Sequence, residues 1–127
     1  MNTIFSTFKN TTFVILLVTC AVLLVSCGDK KVKLGQAIPA GSEVIKLSDI
    51  VAAPLEYNGK TVVLKGIISG QCPSLCEFFY NEGAHKVTVF PQGYKFPKLP
   101  VGKKVTVLAS ITSGNENIVF SALGIEL

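Results

Sequence analysis

The pattern of apolar and polar positions changes along the chain. Residues 13–25 are apolar apart from Thr19, whereas apolar and polar residues alternate in short segments after residue 59. Alternation with a period of two is typical of strands that bury one face, and Gly, Pro and Asn between the segments indicate turns. The sequence therefore predicts five strands, at residues 60–70, 76–81, 85–90, 103–112 and 116–127.

The residues between these strands favour a small closed barrel. A short helix is predicted over residues 48–57, capped at Ser48 and broken near Pro54. Gly66, inside the first strand, predicts a bulge or a sharp bend. Residues 91–102 contain three prolines and are expected to be irregular. Five strands with the long connection after the third indicate an all-β fold, an OB-fold-like Greek-key barrel preceded by a short helix.

The apolar run at residues 13–25 matches the core of a signal peptide, because a membrane-spanning helix needs about 20 apolar residues. At its end, Leu24-Val25-Ser26-Cys27 resembles a bacterial lipobox, in which the cysteine is diacylated and the chain is cut just before it. Cys20 lies inside the run, so Cys27 is the expected lipidation site. An uncleaved N-terminal membrane helix is the alternative. We expect a lipoprotein signal peptide at 1–26, a lipid-anchored flexible spacer at 27–44 and a domain at 45–127.

A lipid anchor of this kind implies the bacterial cell envelope. Gly28 after the acceptor resembles the address of the outer membrane, at its periplasmic face, in bacteria with two membranes. All twelve cations of the chain are lysines, and the formal net charge is +4. This mild charge without arginine disfavours nucleic acid, because arginine provides bidentate contacts to bases and phosphates. The expected partners are the membrane, through the lipid, and an envelope protein or glycan.

Three segments carry a family resemblance: PLEYNGKTVVLKGIISGQCPSLCEFFY, then VTVFP, then LPVGKKVTVLASI. They resemble the small OB-fold lipoproteins and periplasmic proteins of bacteria, most of which are uncharacterised, over about residues 45–127. The resemblance implies the barrel fold and a cysteine pair that leads into the second strand, and it implies no particular activity. Such proteins often have glycine before the second cysteine, where this chain has Leu75. A turn that requires positive φ would be strained at that leucine.

Cys72 and Cys76 are the pair that remains if Cys20 is removed with the signal and Cys27 carries lipid. An oxidising compartment permits a disulfide between them, and we expect such a bond to stiffen a short loop. Redox catalysis is an alternative, although it is typical of C-x-x-C at a helix N-terminus. A bound transition metal, held by Cys72, Cys76 and His85, is the other alternative. The further donors near this pair are Glu77 and Glu82.

An aromatic and basic grouping supplies the candidate ligand-binding residues. OB-folds bind oligonucleotides and oligosaccharides on their second and third strands, and aromatic side chains with nearby cations suit single-stranded nucleic acid. Strand alternation allows Phe79 and Phe90 to point outward beside Lys86. We favour the alternative that both aromatics pack against the barrel end or under the proline-rich segment, since covered aromatics are commoner. The tentative ligand-binding set is Phe79, Lys86, Phe90, Tyr94, Lys95 and Phe96.

The sequence contains no paired-carboxylate, P-loop or dinucleotide signature. We therefore expect a non-enzymatic binding or interaction module without a resident cofactor, and an envelope protein or glycan as its ligand. One alternative is a metal- or thiol-handling envelope protein that uses the cysteine pair. A second alternative is a module that binds single-stranded nucleic acid or oligosaccharide on the face of the second and third strands.

Overall fold

The computed structural model describes residues 31–127. The expected signal peptide, the lipidation site Cys27 and the start of the spacer lie outside these residues. Within them, no helix is long and apolar enough to cross a membrane. The elements in chain order are β1 (Lys33–Gly35), α1 (Leu47–Ala52), a 3-10 helix (Pro54–Tyr57), β2 (Thr61–Gln71), β3 (Phe78–Glu82), β4 (His85–Pro91), β5 (Lys104–Ser113) and β6 (Ile118–Glu126).

Five of the strands form a closed barrel, in the order β2, β3, β4, β6 and β5, and β5 pairs back to β2. Neighbouring strands are antiparallel except β4 and β6, which run parallel. The connection after β4 takes the chain to the far side of β2, so β6 rather than β5 lies beside β4. The predicted OB-fold-like Greek-key barrel is therefore confirmed, and its five strands lie close to the predicted segments.

The long strand β2 pairs with two neighbours and changes partner at Ile67. Just before this point, a Cβ atom on Gly66 would lie 2.6 Å from Cζ of Tyr80 and would also strike the backbone carbonyl of Asn81. The missing side chain allows the Tyr80 ring to lie directly against the backbone of β2 inside the barrel. This close approach explains why the strand has glycine at the position where the sequence predicts a bend.

The proline-rich connection, residues 92–103, contains no helix or strand and contributes to the core. Its side chains Phe96 and Leu99 are buried. Gln71, at the end of β2, fastens it to the barrel: its amide nitrogen donates to the Pro97 carbonyl, and its amide oxygen accepts from the backbone nitrogen of Leu99, both at 2.8 Å. The largest fully buried side chains of the described residues are Tyr80, Phe78 and Phe120.

The short helix α1 begins at Leu47 and is not capped by Ser48, which corrects the predicted start. The backbone nitrogen of Leu47 donates to Oε2 of Glu82 at 2.7 Å, and Oε1 of the same carboxylate accepts from the Tyr80 hydroxyl at 2.7 Å. A carboxylate distant in sequence thus satisfies a free N–H group at the start of the helix, where negative charge is favourable. Leu47 and Ile50 fix the helix to the core.

The expected boundary between spacer and domain, at residue 45, is also corrected. β1 pairs antiparallel with β6, with Leu34 opposite Ile125, and Val44 forms a parallel bridge with Val63 of β2. Residues 31–44, which were expected to be part of a flexible spacer, are therefore attached to the barrel at both ends. Strand β1 has three residues and no alternation long enough to be recognised in the sequence.

Replacing Gly66 with alanine should destabilise the barrel by about 1–3 kcal/mol, because the new methyl group meets the Tyr80 ring and a backbone carbonyl that cannot easily move. Urea unfolding followed by circular dichroism measures the effect. Gly114→Ala is the matched control, since nothing lies within 4 Å of its added Cβ. Equal unfolding midpoints for the two variants would contradict the proposed role of Gly66.

Candidate functional site

Three of the candidate aromatic and basic residues lie together on the outside of the barrel. Phe79 alternates with Phe78 and Tyr80, whose side chains are fully buried, so its ring points outward. On β4, Phe90 is 40% exposed. The Nζ atom of Lys86 lies over the Phe79 ring, 4.9 Å from its centroid. The outward positions Phe79, Lys86, Thr88 and Phe90 are called the aromatic face below.

Neighbouring residues determine how the aromatic face is built. Phe79 of β3 is paired with Thr88 of β4 on one side and with Gly70 of β2 on the other. A Cβ atom on Gly70 would lie 3.0 Å from Cδ2 of Phe79, so the ring covers this glycine. Phe90 of β4 is paired with Ser121 of β6. The face therefore combines two aromatic rings with one ammonium group and a hydroxyl group, held on rigid strands.

The other members of the tentative ligand-binding set do not belong to this face. Phe96 is buried, and its ring packs edge-on against Phe78 and Tyr94, with centroid separations of 5.1 and 5.5 Å. Tyr94 is partly buried, and burial raises its pKa to about 12. Lys95 is exposed between them. Tyr94 and Phe96 are themselves part of the proline-rich connection, and Phe96 packs into the core, whereas Phe90, which we expected to be covered, is exposed.

The two cysteines lie in the thiol loop, residues 72–77, which joins β2 to β3. The backbone nitrogen of Cys72 donates to the carbonyl of Glu77 at 3.1 Å, and that of Leu75 donates to the carbonyl of Cys72 at 2.8 Å. Leu75 has a φ of 61°, the left-handed conformation that favours glycine. The backbone strain expected at Leu75 is therefore present in this turn.

Both thiols in this loop are free and lie side by side. Their Sγ atoms are 3.1 Å apart, and the Ser74 hydroxyl lies 3.1 Å from Sγ of Cys72 and 3.3 Å from Sγ of Cys76. A disulfide bond is about 2.05 Å long, so the expected bond is not formed in this structure. Hydrogen bonds from Ser74, and then from Cys76, lower the pKa of the Cys72 thiol because they stabilise its thiolate.

The donors available to a metal ion differ from those expected. The two thiols and the Glu77 carboxylate have ligand atoms within 4.8 Å of one another. His85 is paired with Glu82 at the β3–β4 turn, whereas the thiol loop precedes Phe78 at the opposite end of β3. A strand rises about 3.4 Å per residue, so His85 is too distant to join the cysteines. Identifying Glu77 as the third donor required the loop geometry.

The barrel resembles that of proteins of known structure. One, named for an aspartyl-tRNA synthetase from Leishmania major Friedlin, has a TM-score of 0.56 and 13% identity, over 72% of this chain and 22% of that chain. Another, named "Structural mimicry for functional antagonism", has a TM-score of 0.54 and 12% identity, over 72% of this chain and 50% of that chain. At these identities the likeness shows the fold alone. No protein-family model and no curated protein matches the chain.

Replacing Ser74 with alanine should raise the pKa of Cys72, because the largest stabilising contact to its thiolate is removed. In the reduced protein, less Cys72 will then be ionised at a given pH below its pKa, and the pH profile of its alkylation should move to higher pH. Site-resolved mass spectrometry of iodoacetamide labelling measures this profile. Ser42→Ala, which removes a hydroxyl bonded to Pro39, is the control. A profile that stays in place or moves to lower pH would contradict the assignment.

Proposed function

We propose that this chain is a lipid-anchored, extracytoplasmic binding module without enzymatic activity, which recognises an envelope component on its aromatic face. The observation that carries the proposal is the outward-facing grouping of half-buried Phe79 with exposed Lys86 and Phe90 on β3 and β4. These are the second and third strands of the barrel proper, and OB-folds bind their ligands there. The proposed membrane attachment is acylation of Cys27, supported by the lipobox-like sequence before it.

The composition of the aromatic face favours a glycan over a single-stranded nucleic acid. Grooves that follow a nucleic-acid backbone combine stacking aromatics with a track of cations. Here the face has one ammonium group, that of Lys86, and it already lies over a ring. Phe79 and Phe90 offer apolar surfaces, and Thr88 adds a hydroxyl. This combination suits a sugar, which has apolar and hydroxyl-bearing surfaces, and the proposed compartment supplies envelope glycans. An envelope protein is the second partner class.

For the thiol loop we propose a disulfide between Cys72 and Cys76 in the mature protein. Two adjacent thiols in an oxidising compartment support it. The enclosed loop is short, so the bond would stiffen the entrance to β3 more than it would stabilise the whole fold. A metal-handling role is the second candidate function, and the observation that favours it is the position of Glu77 beside both thiols.

Replacing Phe79 with alanine should weaken glycan binding at least about tenfold, because stacking on an aromatic side chain contributes about 1–3 kcal/mol. The probe is a mixture of soluble muropeptides, titrated into isotope-labelled protein and followed by NMR chemical shifts. Leu55→Ala is the matched control, since Leu55 is an exposed apolar residue outside the face. Shifts confined to other strands, or a single-stranded oligonucleotide that binds more tightly than the muropeptides, would refute the glycan assignment.

Protein extracted from the cell envelope with detergent and without reductant should have Cys72 and Cys76 bridged and should contain no stoichiometric zinc or copper. Thiol titration and elemental analysis measure both quantities. One metal ion per chain, lost in Cys72→Ser and weakened in Glu77→Gln but retained in His85→Ala, would refute the disulfide proposal. That pattern would establish the metal-handling candidate instead.

A further inference from the structure

A second exposed surface, on the outside of β1, β6, β5 and β2, is rich in lysine. Lys33 is paired with Glu126, Glu126 with Thr106, and Thr106 with Lys65, so these residues form one row across four strands. Directly paired residues in a sheet point to the same face. In the adjacent row, Lys104 is paired with Ile67. The barrel thus presents several ammonium groups on one continuous outer surface.

This surface contains a groove of about 550 Å³. Among the described residues, three lysine side chains line the groove, and Glu126 is the one acidic side chain that does so. Glu126 is itself paired with Lys33, at 3.9 Å. Ile67 is 44% exposed on the groove floor. The residues Lys31, Lys65, Ile67, Lys104 and Glu126, with Lys33 at the edge, are called the basic groove.

The basic groove lies where the chain leaves the barrel toward the proposed lipid anchor. Val32 and Leu127 exchange backbone hydrogen bonds of 3.2 and 2.9 Å, which fixes the start of the domain beside the groove. An extended residue spans at most about 3.6 Å, so the four steps from Cys27 to Lys31 reach about 14 Å at most. The screening length at physiological salt is about 8 Å. The tether therefore holds the groove within about two screening lengths of the charged membrane surface and allows the two to touch.

We propose that the basic groove docks on anionic phospholipid headgroups of the membrane that holds the anchor. The lysine ammonium groups pair with the lipid phosphates. This inference rests on the proposed acylation of Cys27. The lipid tether holds the groove beside the membrane, which favours lipid headgroups over other anionic partners. No residue of β3 or β4 lines the groove. Docking therefore leaves the aromatic face open to its ligand.

The full lipidated chain, reconstituted into vesicles, tests this proposal by lysine acetylation and mass spectrometry. In vesicles that contain phosphatidylglycerol, Lys65 and Lys104 should be acetylated at least about threefold more slowly than in pure phosphatidylcholine, and high salt should remove the difference. Lys46 and Lys98, exposed outside the groove, should react equally in both. Equal rates at Lys65 and Lys104, or the same protection at all four lysines, would overturn the proposal.

A second measurement separates the groove from the anchor. Residues 31–127 contain the closed barrel and the whole buried core described above, and thermal unfolding checks each variant. This segment should sediment with phosphatidylglycerol vesicles, and Lys65→Glu/Lys104→Glu should weaken binding at least about tenfold. Lys46→Glu/Lys98→Glu, with the same charge change, should retain most of it. Equal loss in both double variants would show a net-charge effect only and overturn the groove assignment.

The anchor itself is tested by metabolic labelling with a fatty acid, which Cys27→Ser should abolish and Cys20→Ser should not. Persistent labelling of Cys27→Ser would refute the proposed anchor. Vesicle binding by residues 31–127 would still report on the groove, so failure of one proposal is distinguishable from failure of the other.

Discussion

The structure depends on one strand pairing with two neighbours. β2 pairs with β5 in its first part and with β3 in its second, and without both pairings the barrel would be an open sheet. The change of partner is possible because Gly66 lets the Tyr80 ring occupy the space of a side chain. Both outer surfaces follow from this strand: Lys65 and Ile67 point into the basic groove, while Gly70 lies under the aromatic face.

The barrel could be predicted from the sequence because its signals are local. Alternation within each strand and Gly-containing turns between strands are properties of a few adjacent residues, and they located β2 to β6 closely. Contacts between distant residues could not be inferred in the same way. Strand β1 is recognisable only through its pairing with β6, and the carboxylate of Glu82 caps α1 from another part of the fold.

The same distinction between local signals and distant contacts applies to the candidate site. Strand alternation allowed Phe79, Lys86 and Phe90 to share one outer face, although the commoner burial of aromatic side chains led us to favour the covered alternative. The proline-rich connection has no such alternation, so the sequence pattern did not predict that Phe96 is buried in the core. Similarly, His85 and Glu77 are both near the cysteines in sequence, and only strand direction shows which of them approaches the thiols.

The attachment of β1 to β6 also has a mechanical consequence. If a lipid holds Cys27 while an immobile glycan holds the aromatic face, tension enters the barrel at residue 31 and acts first on β1, which has three residues. This strand can peel from β6 while the ring of five strands remains closed. Release of residues 31–43 would free a segment whose extended length is about 45 Å. Strand β1 would then separate from β6 before the force acts on the five strands of the barrel.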